Sequence, residues 1–115
     1  MTKIKLEYLN ELSGGDVDFI SSMIKTYLEE TGREIKLLEE SFDKKDRGRI
    51  SFWAHKIKAS FYLMGLEQLS KAATELELKS KNYDIALDSL RKDIDYIVEK
   101  AEISFQHARR LVKDL

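Results

Sequence analysis

Cysteine and proline are both absent from this chain of 115 residues, and it holds only two histidines and one tryptophan. Without cysteine there is no disulfide scaffold, no thiolate nucleophile and no cysteine zinc site. His55 and His107 alone cannot build a three-histidine metal centre. Average usage would give roughly six prolines at this length. Because proline breaks helix interiors, its absence permits long uninterrupted helices. No run approaches the ~18 apolar residues of a membrane span. The stretch Met1 to Glu7 lacks the apolar segment of a secretory signal. Neither sign of charge dominates, with 20 Lys plus Arg against 21 Asp plus Glu and a net of −1. Generic nucleic-acid binding needs a basic excess to displace counterions, and Lys44, Lys45, Arg47 and Arg49 are interleaved with Asp43 and Asp46. The expectation is a cytoplasmic monomer without nucleic-acid or membrane partners.

What is present is helical periodicity. The chain is 43% hydrophobic, enough for one domain over residues 1–115. Ser13-Gly14-Gly15 is the clearest break, after a short amphipathic piece from Ile4 to Leu12. Asp16 is placed to cap a helix, its carboxylate accepting from N–H groups that lack an intrahelical partner. From there Val17, Ile20, Met23, Ile24, Tyr27, Leu28, Ile35, Leu38 and Phe42 recur at three- and four-residue steps, with Gly32 inside the pattern. Asp43 to Gly48 is polar and reads as a turn. The stripe resumes at Ile50, Trp53, Ala54, Ile57, Phe61 and Met64 and stops at Gly65, a natural left-handed terminator. Leu66, Leu69, Ala72, Ala73 and Leu76 mark a third helix, fading near Lys79 to Asn82. A fourth runs from Ile85 to Val112. No sustained alternation suggests strands. The predicted fold is all-α: an antiparallel four-helix bundle with a short extra N-terminal helix.

The helix around residue 55 has an unusual outer face. An ideal helix turns about 100° per residue, so Trp53, Ala54, Ile57, Phe61 and Met64 fall within roughly 60° of Ile50. His55 lies about 140° from that direction and faces water. Its outer neighbours are Ser51, Phe52, Ala59 and Tyr62, with Lys58 one turn on. Solvent faces normally carry charge, and a lone surface histidine is usually incidental. Contiguous aromatics, a small residue that allows close approach, and a lysine at i+3 point instead to function. A neutral imidazole is a nucleophile near pH 7, and Lys58 can offset the charge of a bound phosphoryl group. The other candidates are weak. His107 reads as solvent-facing near a helix C-terminus, Glu75 and Glu77 as surface, and Trp53 as core.

The run His55-Lys56-Ile57-Lys58-Ala59-Ser60-Phe61-Tyr62-Leu63-Met64-Gly65 resembles the signature of histidine-containing phosphotransfer (HPt) domains. That signature is a histidine with an aliphatic at +2, lysine at +3, glycine at +4, often serine at +5, and an aliphatic-glycine pair at +9 and +10. Tyr8-Leu9 with Leu12-Ser13-Gly14-Gly15-Asp16 resembles the family's lead-in to its first bundle helix. Leu69, Leu76 and Glu77 fit its next helix. The resemblance implies a four-helix bundle that accepts a phosphoryl group from an aspartate of one receiver domain and passes it to another. It implies His55 as acceptor through Nε2, Lys58 beside the phosphoryl group, and Ser51, Phe52, Ala59 and Tyr62 as docking surface. Partners would be response-regulator receiver domains and a hybrid sensor histidine kinase. No cofactor or metal is expected on this chain, because the Mg²⁺ of transfer belongs to the receiver.

Two positions depart from the family pattern. Ala59 stands where glycine is usual, and Phe61 where a small residue is common. The methyl of Ala59 beside His55 narrows the approach of a receiver and favours altered partner preference; Phe61 reads as packing. An alternative is an adaptor that docks receivers through the same face without carrying phosphate. No glycine-rich phosphate loop is present, which argues against autonomous ATP-dependent kinase activity.

Overall fold

Asp16 caps as its position suggests: its carboxylate accepts from the backbone N–H groups of Asp18 and Phe19. Behind that cap the first long rod forms, in a computed structural model that describes residues 2–115. The short α1 (Glu7–Ser13) precedes it and ends on Gly14 in the left-handed conformation. The rod consists of α2 (Val17–Thr26), a π turn (Tyr27–Thr31) and α3 (Gly32–Asp43). Then come α4 (Arg47–Leu63), α5 (Glu67–Ser80) and α6 (Leu87–Asp114). The described residues contain helices and no strands. Four rods and one short N-terminal helix make the predicted bundle, 46 Å long and 21 Å across.

Three details differ from the sequence reading. The long stripe does not run as one plain α-helix, because the π turn interrupts it just before Gly32. Val17, the first helical residue of α2, is exposed rather than core. The turn after α3 takes its left-handed residue at Lys45, not at glycine. Gly48 therefore lies inside the first turn of α4, capped by the Asp46 carboxylate accepting from Arg49 N–H. Arg47 fixes the far end of the bundle, its guanidinium donating to the carbonyls of Asn82 and Ile85 between α5 and α6.

The core is a single cluster that includes Leu9, Ile24, Leu38, Ile50, Ile57, Phe61, Leu76, Leu90 and Ile97, all fully buried. Burying each such side chain favours folding by about 1.5–3 kcal/mol. One polar bond crosses it. Ser104 donates its hydroxyl proton to the Ala101 carbonyl, so the Tyr27 hydroxyl must donate to Ser104 Oγ, 2.6 Å away. Burial pushes the Tyr27 phenol far above its ordinary range and keeps it a neutral donor.

Gly65 ends α4 as the spacing predicts. It sits at φ 70°, with its N–H bonded to the Tyr62 carbonyl and the Leu66 N–H to that of Phe61, the paired bonds of a Schellman terminator. A second constraint acts there. The segment before α1 crosses over this turn, Lys5 N–H donating to the Met64 carbonyl at 2.9 Å. A Cβ on residue 65 would lie 2.6 Å from Lys5 Cβ and 2.7 Å from its carbonyl oxygen. The left-handed conformation alone costs a non-glycine residue about 1–2 kcal/mol. Gly65→Ala should therefore lower the free energy of urea unfolding by at least that amount.

Candidate functional site

Packing of α4 against α5 turns one seam of the bundle into a polar cluster. The two helices run antiparallel: Ser70 Oγ donates to the Lys58 carbonyl, and Glu77, two turns further along α5, reaches His55. Glu77 was expected at the surface, yet its side chain is only 14% exposed because α4 covers it. Its Oε2 lies 3.0 Å from His55 Nδ1 and its Oε1 3.1 Å from Lys58 Nζ. Lys81 Nζ, one turn on along the chain, lies 3.6 Å from Oε2. A carboxylate can only accept, so Nδ1 carries the proton, and in the neutral ring Nε2 holds the lone pair. Lys58 Nζ is 3.4 Å from the same Nδ1, but with that proton directed at Glu77 the ammonium donates to the carboxylate instead.

The imidazole stands clear of the surface, its side chain 64% exposed, whereas that of Lys58 is 30% exposed. Phe52, Ala59 and Tyr62 surround His55 as expected, all exposed. Ser51 does not join them. The sequence puts it about 100° from the core direction, but it is buried at 8% exposure. Extending the antiparallel register from His55 and Glu77 sets Ser51 level with the end of α5, which covers that flank of α4. Phe52 packs edge-on to Trp53, at 4.8 Å between centroids, under the Lys56 ammonium. Tyr62 gains a neighbour that sequence reasoning missed: the Tyr8 ring on α1, edge-on at 5.6 Å. The aromatic face therefore extends onto the N-terminal helix.

His107 needs a different correction. It is half-buried rather than solvent-facing, and its Nδ1 accepts the Ile4 N–H at 3.0 Å. A cavity of about 660 Å³ is an open groove between the π turn and α3 on one side and α6 on the other, lined in part by Leu28, Ile35, Val98 and Phe105. It contains no member of the His55 cluster.

Partial burial pushes the Glu77 carboxyl up, but the hydrogen bonds from Lys58 and His55, with the charges of both, outweigh it and hold the group below the ordinary 4.5. With a folded-state value under the unfolded one, the stability contributed by Glu77 is complete above that ordinary value and is lost as pH falls through the lowered one. Chemically the cluster is a histidine held in its Nδ1–H form, with nucleophilic Nε2 facing out and an ammonium close by. Two outcomes are expected. Glu77→Ala should move His55 toward the Nε2–H tautomer, visible in long-range ¹H–¹⁵N spectra. Glu77→Gln should flatten the acid limb of urea stability measured from pH 6 to pH 3.

A search of curated proteins finds no match to the chain. In structure it resembles the crystal structure of the HPT domain from the Hpt sensor hybrid histidine kinase of Shewanella. The TM-score is 0.82 at 12% identity, over 97% of this chain and 95% of that one. At that identity the likeness speaks for the fold. A family model described as Hpt domain matches residues 22–109, a span that takes in His55, Lys58 and Glu77. Covering well over half of the sequence, that match shows that the chain belongs to the Hpt domain family.

Proposed function

We propose that this protein is a phosphotransfer intermediate of a two-component relay, with His55 as the phosphoryl carrier. The observation that carries the reading is the exposed imidazole whose Nδ1–H is taken by Glu77, on a bundle of the Hpt family. Nε2 attacks the phosphorus of an aspartyl phosphate on a receiver domain. The N–P bond forms as the P–O bond to the aspartate breaks, and the electron pair leaves with the receiver's carboxylate. The positive charge that develops on the imidazole is met at Nδ1–H by Glu77. Lys58, 3.1 Å from the Glu77 carboxylate, can turn to the phosphoryl oxygens once they arrive. Transfer onward is the same step in reverse, onto a second receiver. Mg²⁺ would be supplied by the receiver, and positioning supplies most of this chain's share of catalysis.

Phe52, Ala59 and Tyr62 form the surface on which the receiver docks in this reading, with Ser51 left out because it is buried. Among the described residues no helix is long and apolar enough to cross a membrane, and the relay is read as cytoplasmic, with receiver domains and a hybrid kinase as partners.

Incubation with a phosphorylated cognate receiver should give the protein an acid-labile, alkali-stable label. His55→Gln should abolish it, and Lys58→Ala should slow transfer about tenfold, the loss of one charge-assisted contact. Equal labelling of His55→Gln overturns the assignment. Receiver binding that survives His55→Gln, with no label transferred to the wild type, would instead identify an adaptor.

A further inference from the structure

The N-terminal segment is tied to the bundle at two backbone positions. Ile4 N–H donates to His107 Nδ1 on α6 at 3.0 Å, and Lys5 N–H donates to the Met64 carbonyl at the end of α4 at 2.9 Å. These ties join residues 103 positions apart in one case and adjacent residues on the segment side. They fix where the chain enters α1, and hence where Tyr8 meets Tyr62 on the His55 face. The carbonyl tie is indifferent to pH. The imidazole tie is not, because an Nδ1 that accepts a hydrogen bond must be unprotonated.

We propose that His107 is a positioning residue for the aromatic docking surface: with Nδ1 bare it clasps the N-terminal segment and seats Tyr8 against Tyr62, and with Nδ1 protonated the clasp opens. Protonation does more than remove an acceptor. The imidazolium would turn an N–H donor toward the Ile4 N–H, so two donors would face each other. The charges that act on the ring, Arg110 on its own helix and Lys3 on the clasped segment, are both positive and would repel it. Burial first, then those two cations, hold the imidazole below its ordinary 6.5. The sign is fixed by this direction: the clasp is closed at neutral pH and opens as pH falls through the lowered value. Ile4 and Leu9 are buried, so their apolar anchorage keeps the segment near the bundle, and what changes is the seating of Tyr8 rather than the fold.

The importance of Tyr8 for docking rests on the proposed function, but the clasp itself can be tested without any partner. In the ¹⁵N-labelled full chain, exchange protection of the Ile4 amide, corrected for intrinsic pH dependence, should fall about fivefold between pH 7.5 and pH 5, the loss expected for one net hydrogen bond. Its midpoint should coincide with the titration of His107 followed in the same sample. The Tyr8–Tyr62 ring contact, read as cross-ring nuclear Overhauser effects, should weaken in parallel. His107→Gln offers an oxygen acceptor that does not titrate and should keep both signals across the range. His107→Phe should lose both at every pH, with α6 amides still protected to show that the bundle is intact. Ile4 protection that does not change through the His107 titration overturns the inference, as does a Tyr8–Tyr62 contact that persists in His107→Phe. A clasp that titrates as described while no receiver binds at any pH would count against the proposed function and leave the clasp standing.

Discussion

Glu77 is a carboxylate that α4 and α5 enclose between them, and a group so placed has to find partners. It finds three: the imidazole N–H of His55 and the ammonium groups of Lys58 and Lys81. The consequence for His55 is chemical as well as structural. A side chain standing mostly in water would otherwise exchange tautomers and rotamers freely; here one ring nitrogen is occupied and the other is left outward. The same carboxylate holds Lys58 beside the ring. Orientation, tautomer and a nearby cation thus follow from satisfying one half-buried charge.

The seam can form only because α4 meets two demands along its length. Ile50, Ala54, Ile57 and Phe61 fill the core and set the helix rotation. That rotation turns His55, Phe52, Ala59 and Tyr62 away from the core. Gly65 then ends the helix in a conformation that leaves room for the Lys5 backbone to cross. α1 thereby comes to lie beside Tyr62, and the face around His55 is built from three helices rather than one. The groove between α3 and α6 lies apart from this face.

Much of this was legible in the residue pattern. The 3.6-residue stripes, the Asp16 cap and the Gly65 stop follow from local rules that involve only near neighbours, and the structure keeps them. His55, Phe52, Ala59 and Tyr62 were correctly placed outside because their angle from Ile50 is large. Errors arose at intermediate angles. Ser51 lies about 100° and Glu77 about 80° from the core direction of its helix, where exposure depends on whether a neighbouring helix covers that flank. The π turn and the left-handed Lys45 were also missed, since no glycine marks either position.

Sequence by itself determined the helical class, the helix stops and the outward histidine with lysine one turn on, because each depends on periodicity within one helix. The pairing of Glu77 with His55 and the contact of Tyr8 with Tyr62 join residues 22 and 54 positions apart. The bond from Ile4 to His107 spans nearly the whole chain. No periodicity encodes those meetings; they depend on the register in which α4 packs on α5 and on the path of the N-terminal segment over Gly65. Tertiary packing therefore decided the tautomer of His55 and the extent of the surface around it, and it gave the second histidine a place in the structure.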